Sequence, residues 1–351
     1  MAKTIFKAAQ YFSVAALACM ATTAALATDI SGAGATFPYP VYSKWAEAYK
    51  QQTGVGMNYQ SIGSGGGIKQ IKAATVTFGA SDKPLEPAEL RQAGLVQFPM
   101  IIGGVVPVVN IANIKPGELM IDGPTLASIY LGEITKWSDP RIAKLNPKAK
   151  LPDQAIAPVY RSDGSGTNFL FTDYLSKVSP GFKSKIGANT SVEWPAGIGA
   201  KGNEGVANMT AQTGGAIGYV EYAYAKQNKM TYLQVRNRDG KTVAPEAKAF
   251  QAAAANADWA KAEGYYLILT DQPGAQTWPI TGASFILMHG DSRDPAAAAE
   301  ALKFFHWAYS KGGDMASALD YVPLPASVTK LAEQTWRTSI LANGKPVWNG
   351  K

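Results

Sequence analysis

The sequence predicts an α/β fold built in two lobes, and three observations carry that expectation. Short β-like runs alternate with helical spacings along most of its 351 residues. About 324 residues beyond an N-terminal leader exceed what one hydrophobic core usually organises. Two stretches, IIGGVVPVV (101–109) and WPITGASFIL (278–287), place Gly or Pro ahead of a strand and read as crossings between lobes, which would make one lobe discontinuous in sequence. The alternation further predicts mostly parallel sheets.

Residues 1–27 read as a secretory signal peptide: Lys3 and Lys7 form a charged start, an alanine-rich apolar stretch follows, and Ala25-Leu26-Ala27 offers a cleavage site. The mature chain then begins at Thr28 and is expected in the periplasm. Cys19, the single cysteine, lies inside the leader, so the mature chain can form no disulfide or thiolate metal site. Leu17-Ala18-Cys19 offers a lipidation alternative, with Ala16 where a larger aliphatic is usual.

Next, SGAGATFPYP (31–40) runs small residues up to Thr36 and Phe37 before a helical pattern at Val41, Trp45, Ala48 and Tyr49. MNYQSI (57–62) reads as a strand, after which Ser64 and three glycines lead into helical spacing at Ile68 and Ile71. In TFGASDKPL (77–85) a short apolar strand and a small-residue turn precede Asp82. GVVPVVNI (104–111) and AIAPVYR (155–161) are further strands. The second runs into RSDGSGTNFLF (161–171), where Arg161 and Asp163 stand ahead of Ser165, Gly166 and Thr167. AIGYVEY (216–222) and SFILMH (284–289) are strands, and alanine content predicts a helix over 252–264 that ends at Gly264.

The loops at Thr36, Ser64 and Ser165 share one grammar: a strand, a turn of hydroxyls and glycines, then a helix. Helix N-termini carry unsatisfied N–H donors and a partial charge of roughly +0.5 e, which suits an anion without many lysines. A lone Ser or Thr there is an ordinary N-cap; the threefold recurrence is the signal. Arg161 would add one formal positive charge on a planar fork, and Asp163 would hold that fork, unless the two are simply a surface ion pair. Asp82 is either a turn residue before Pro84 or an acceptor for a protonated anion. In the second role it selects, because a protonated oxyanion such as phosphate is accepted and an unprotonated one such as sulfate leaves two negative groups face to face.

Composition excludes several other chemistries. Removing the leader's two lysines leaves 31 basic against 26 acidic residues, a net charge of +5 with no run of interleaved Lys, Arg and aromatics, so no nucleic-acid surface is expected. A serine hydrolase or phosphatase built on Ser165 would need a G-x-S-x-G elbow, yet Asp163 occupies the first glycine position. No G-K-[ST] follows the glycines, so a phosphate-binding nucleotide loop fails as well. His289 and His306 sit beside no candidate nucleophile and read as structural or surface residues. Trp45, Trp137 and Trp194 read as core or helix anchors, and no ligand spacing suggests a metal. An enzyme and a scaffold on the same fold are the rivals from other classes.

Along nearly all of the mature chain the sequence resembles the periplasmic phosphate-binding proteins that serve the high-affinity phosphate ABC importer. The likeness runs from GAGATFP (32–38) through IGSGGGIKQI, FGASDKPL, FPMIIGGVV, LGEITKWSDP, SDGSGTNF, KGNEGV and GAIGYVEYAYAKQN to WPIT (278–281). The resemblance implies phosphate ligands at Thr36, Phe37, Ser64, Asp82, Arg161, Ser165, Gly166 and Thr167, with Asp163 supporting Arg161. Gly65 departs from it, since close relatives often have a second Ser there. It also implies a Venus-flytrap fold of the type II periplasmic-binding-protein kind, with two α/β lobes on a two-segment hinge. The first lobe would span 28–104 plus 283–351 and the second 105–282. Further implications are a monomer that is not an enzyme, needs no cofactor, and docks on membrane permease subunits.

Overall fold

The computed structural model describes residues 29–350; the segment read as a leader, with Cys19, lies outside the described residues. One nine-stranded sheet organises them. Its strands are β1 (Ile30–Gly34), β2 (Met57–Ser61), β3 (Phe78–Ser81) and β4 (Leu95–Val109), then, after the short β5 (Met120–Asp122), β6 (Ala157–Arg161), β7 (Ile198–Ala200), β8 (Ala216–Glu221) and β9 (Thr231–Tyr232). The short β10 (Gln234–Arg236) and β11 (Thr242–Val243) join β5 in a separate three-stranded sheet, and β12 (Thr281–His289) completes the large one. The large sheet has the order β2-β1-β3-β12-β4-β8-β6-β7, with β9 also on β4.

The expectation of mostly parallel pairing holds only away from the middle of the sheet. β1 is parallel to β2 and β3, and β6 to β7 and β8, whereas β12 is antiparallel to β3 and β4, and β4 to β8 and β9. The reason is topological: one strand carries the chain across the molecule and another brings it back, so two neighbouring crossings must run in opposite senses.

β4 also differs from its expected form. The glycines of IIGG were read as preceding a strand, but Gly103 and Gly104 lie inside a single strand of 15 residues. Its Leu95–Gly104 stretch pairs with β12, and its Val105–Val109 stretch with β8. Gly104 is required where the partner changes, because a Cβ there would stand 2.2 Å from the ring of Phe250.

Helices cover the sheet. In Tyr39–Thr53, Val41, Tyr42, Trp45 and Tyr49 form the buried face, and the Trp45 indole donates to the Gly312 carbonyl at 2.9 Å. The helix expected over 252–264 instead spans Ala247–Ala254. Burial of Trp259 against the ring of Phe285 requires the chain to turn inward, and that packing outweighs alanine propensity. Buried apolar residues from both sides of the β12–β4 pair, such as Phe78 on β3 and Val159 on β6, belong to one continuous cluster that runs through β4 and β12, with a smaller satellite around Ile71, Leu90 and Leu287. Among the described residues no helix is long and apolar enough to cross a membrane.

Candidate functional site

The strand-to-helix loops singled out in the sequence converge. β1 ends at Gly34, and five residues later the helix Tyr39–Thr53 begins. β2 leads to the helix Ser64–Lys72, and β6 to the helix Gly166–Val178. β1, β2 and β3 lie on one side of the β12–β4 pair and β6 on the other, so the Thr36, Ser64 and Asp82 loops face the Arg161–Thr167 loop across the middle of the sheet.

Their contacts are direct. Ser64 Oγ accepts the N–H of Asp82 at 3.1 Å and the N–H of Gly166 at 3.0 Å, and Gly65 donates its N–H to the Gly164 carbonyl at 2.8 Å. Gly166 fits only because it lacks a side chain: a Cβ would lie 2.5 Å from both Asp82 Oδ2 and Ser64 Oγ. Ser165 caps its helix, with Oγ accepting the Asn168 N–H at 3.0 Å. Thr36, Phe37, Ser64, Asp82, Arg161, Ser165, Gly166 and Thr167 are all buried. A surface groove of about 470 Å³ between Leu90, Trp259, Tyr265 and Leu331 includes none of them.

Arg161 ends β6, and its backbone N–H donates to the Tyr219 hydroxyl at 3.1 Å. Its Nε and Nη2 donate to the two oxygens of Asp163 at 2.8 and 2.6 Å, a fork-on-fork pair that fixes the guanidinium plane. Burial opposes ionisation of Asp163, yet the Arg161 fork and the Gly202 N–H hold its carboxyl below the ordinary value. Nη1, the remaining guanidinium nitrogen, is buried and has no hydrogen-bond partner in the protein.

Asp82 is the opposite case. Burial pushes its carboxyl up to about 7, against the lowering effect of the Ser284 hydroxyl, the Arg161 charge and Ser64. Although Ser284 is near enough to act on it, neither Asp82 oxygen accepts a hydrogen bond of good geometry. A buried cation nitrogen and a buried carboxyl, each without a protein partner, are therefore held in one enclosed site.

Sequence reasoning passed over Asn203. Its Nδ2 donates to Thr36 Oγ1 at 2.7 Å and Thr167 Oγ1 at 3.1 Å, its N–H donates to Thr36 Oγ1 at 3.2 Å, and its Oδ1 accepts the Glu221 N–H at 2.9 Å. The clue was a fourth case of the same grammar, in which β7 runs through Lys201 and Gly202 into the helix Gly202–Gln212. Also unforeseen are Tyr224, whose hydroxyl donates to the Thr36 carbonyl at 2.6 Å, and Tyr321, whose hydroxyl lies 2.6 Å from the Phe37 carbonyl and 2.7 Å from Glu221 Oε2. His289 Nε2 meets the Ile71 carbonyl and His306 meets Glu333, both away from the site. Trp45 and Trp137 are buried, and Trp194 packs half-buried against Tyr130 and Tyr160. Among the described residues no group of His, Cys, Asp and Glu could hold a metal ion.

Comparison with known proteins agrees with this architecture. A family model described as a PBP superfamily domain matches residues 21–311. The phosphate-binding protein PstS of Xylella fastidiosa is 55% identical over 307 residues, 88% of this chain and 84% of that protein. The protein of the same name from Pasteurella multocida is 52% identical over 336 residues, 95% of this chain and 98% of that one. A solved phosphate binding protein from Stenotrophomonas maltophilia shares the fold with a TM-score of 0.67 at 22% identity, over 91% of this chain and 97% of that chain. With more than half its length matching the superfamily model and most of it aligning at over half identity with proteins of one name, the chain belongs to the PBP superfamily and, within it, to the PstS phosphate-binding proteins.

Proposed function

We propose that the mature chain captures one inorganic phosphate in the periplasm and delivers it to the membrane permease of an ABC importer, making and breaking no covalent bond. The observation that carries this reading is the pairing in one buried site of Arg161 Nη1 and the Asp82 carboxyl, neither with a protein partner, among the hydroxyls of Thr36, Ser64, Ser165 and Thr167. Arg161 is already neutralised by Asp163, so the anion is held mainly by neutral N–H and O–H dipoles. Ser64 and Ser165 each accept from protein N–H groups, which leaves their single protons free to point at the anion.

Asp82 is then the one acceptor in a set of donors. Once Asp82 is ionised, above about pH 7, phosphate brings a proton and shares it with the carboxylate; sulfate brings none, and its oxygen would face a desolvated carboxylate. The names of the relatives support phosphate as the anion.

In this reading the lobes are 28–104 with 283–351, and 105–282. The change of partner along β4 after Gly104 supports that division. The bonds from Gly166 to Ser64 and from Gly65 to Gly164 then cross between lobes and belong to the closed form. The released protein is a monomer exported by its leader, and the closed pair of lobes is what the permease recognises.

Calorimetric titration of the anion-stripped mature protein tests the reading. One phosphate per chain should bind tightly at about pH 8, where Asp82 is ionised, with no heat from sulfate, and absence of phosphate heat would overturn it.

A further inference from the structure

Asn203 is fully buried, and every hydrogen-bonding group of its side chain is used. Because Oδ1 accepts a backbone N–H, that of Glu221, the amide cannot be turned the other way, and the end facing Thr36 and Thr167 must be the donor. Its two N–H bonds go one each to the two threonine hydroxyls, and its backbone N–H gives Thr36 Oγ1 a second donor. A hydroxyl has two lone pairs and one proton. With both lone pairs of Thr36 filled, its proton can only be donated, and Thr167, accepting from the same amide, is biased the same way.

We propose that Asn203 is a positioning residue for the anion: it sets the polarity of the Thr36 and Thr167 hydroxyls, so that both offer protons to the ligand. This rests on the phosphate reading above and goes further, because it explains how hydroxyls that could equally accept become fixed donors. Thr36 follows β1 and Asn203 follows β7, on opposite sides of the β12–β4 pair, so the clasp forms only when the two halves meet. Asn203 thus couples closure to readiness: Thr36 becomes a fixed donor at the moment the site is sealed.

Two variants separate polarity from packing and from charge. Asn203→Leu keeps approximate volume and removes both donors without adding charge. Asn203→Asp keeps the shape and the acceptor for the Glu221 N–H, but replaces the donor with an oxygen that would draw the threonine protons away from the ligand. With wild type binding phosphate, the expected Kd increase is roughly tenfold to a hundredfold for Asn203→Leu and larger for Asn203→Asp, from two lost hydrogen bonds and then their reversal.

The readout that a merely structural role would not move is coupling to Thr36. In a Thr36→Val background, Asn203→Leu should cost much less than it does alone, because one hydroxyl it serves is already gone. An unchanged Kd for Asn203→Leu, or full additivity with Thr36→Val while both variants melt as wild type, overturns the role of Asn203 and leaves the phosphate reading intact. Wild-type protein that binds no phosphate overturns that reading, and this inference with it.

Discussion

Asp82 sets a pH signature on the unliganded protein. Below about pH 4 the acid is protonated whether the chain is folded or not, so it carries no penalty. Between about 4 and 7 the unfolded chain releases the proton while the folded one keeps it, and stability falls by up to about 1.4 kcal/mol per pH unit. Glu221, pushed well above its ordinary value mainly by burial, adds to the same trend, whereas the lowered Asp163 reaches its full effect by about pH 5 and is constant from there to about pH 7. Urea unfolding at pH 5 and pH 7.5 should therefore give lower stability at the higher value, and Asp82→Asn should remove much of the difference. Stability that rises with pH would contradict the raised carboxyl. The same substitution should admit sulfate, lowering the phosphate-over-sulfate ratio at least about tenfold in calorimetry, since one repulsive contact becomes a neutral amide. Arg161→Ala should raise the phosphate Kd about a hundredfold or more, by removing a buried charge and stranding Asp163. The sequence displayed Asp82, Arg161 and Asp163 as residue types at suggestive places. It could not display their burial or the unpartnered Nη1, because those depend on loops about 80 residues apart closing on each other. Asn203 was hidden for the same reason, since its partners lie 167 and 36 residues away.

Strand-to-helix junctions were the most legible elements, because a run of small residues between two periodicities marks a turn locally. The helices at Tyr39, Ser64 and Gly166 all begin within a few residues of the positions read from Val41, Ile68 and Phe169. β4 and the segment after Ala254 were not, since the first depends on which neighbours approach Gly103 and Gly104 and the second on where Trp259 is buried. Two substitutions probe the third junction from inside. Ser165→Ala removes the cap of the helix Gly166–Val178 and should cost about 1 kcal/mol in thermal unfolding, with weaker phosphate binding besides. Gly166→Ala introduces no polar change, yet its methyl falls on Asp82 and Ser64. It should leave the fold intact and hold the halves apart, seen in solution scattering as a larger radius of gyration with phosphate than wild type shows. A variant that compacts normally would mean the approach at Gly166 is not tight.

At the scale of the molecule, the exposed ion pair between the halves contributes little: Lys226 and Asp320 pair at 2.8 Å with the lysine half exposed, a bond worth at most about 1 kcal/mol. The buried bonds of Gly166 to Ser64 and of Asn203 to Thr36 surround the anion site, so the ligand and closure favour each other. Saturating phosphate at about a thousandfold above its Kd should raise unfolding stability by about 4 kcal/mol, and a melting temperature indifferent to phosphate would argue against the site. The two-lobe expectation came from chain length and two glycine-bearing crossings; that these crossings lie side by side as β4 and β12 was beyond the sequence, because strand pairing is not a local property. Their adjacency also dictates an order of events in synthesis. β3 waits for β12 as its neighbour, and about 200 residues separate them, so the first 100 residues cannot complete their sheet until nearly the whole chain has emerged. For the export proposed above, late completion is an asset: the polypeptide stays threadable while it is passed across and commits to its structure only once β12 arrives on the far side.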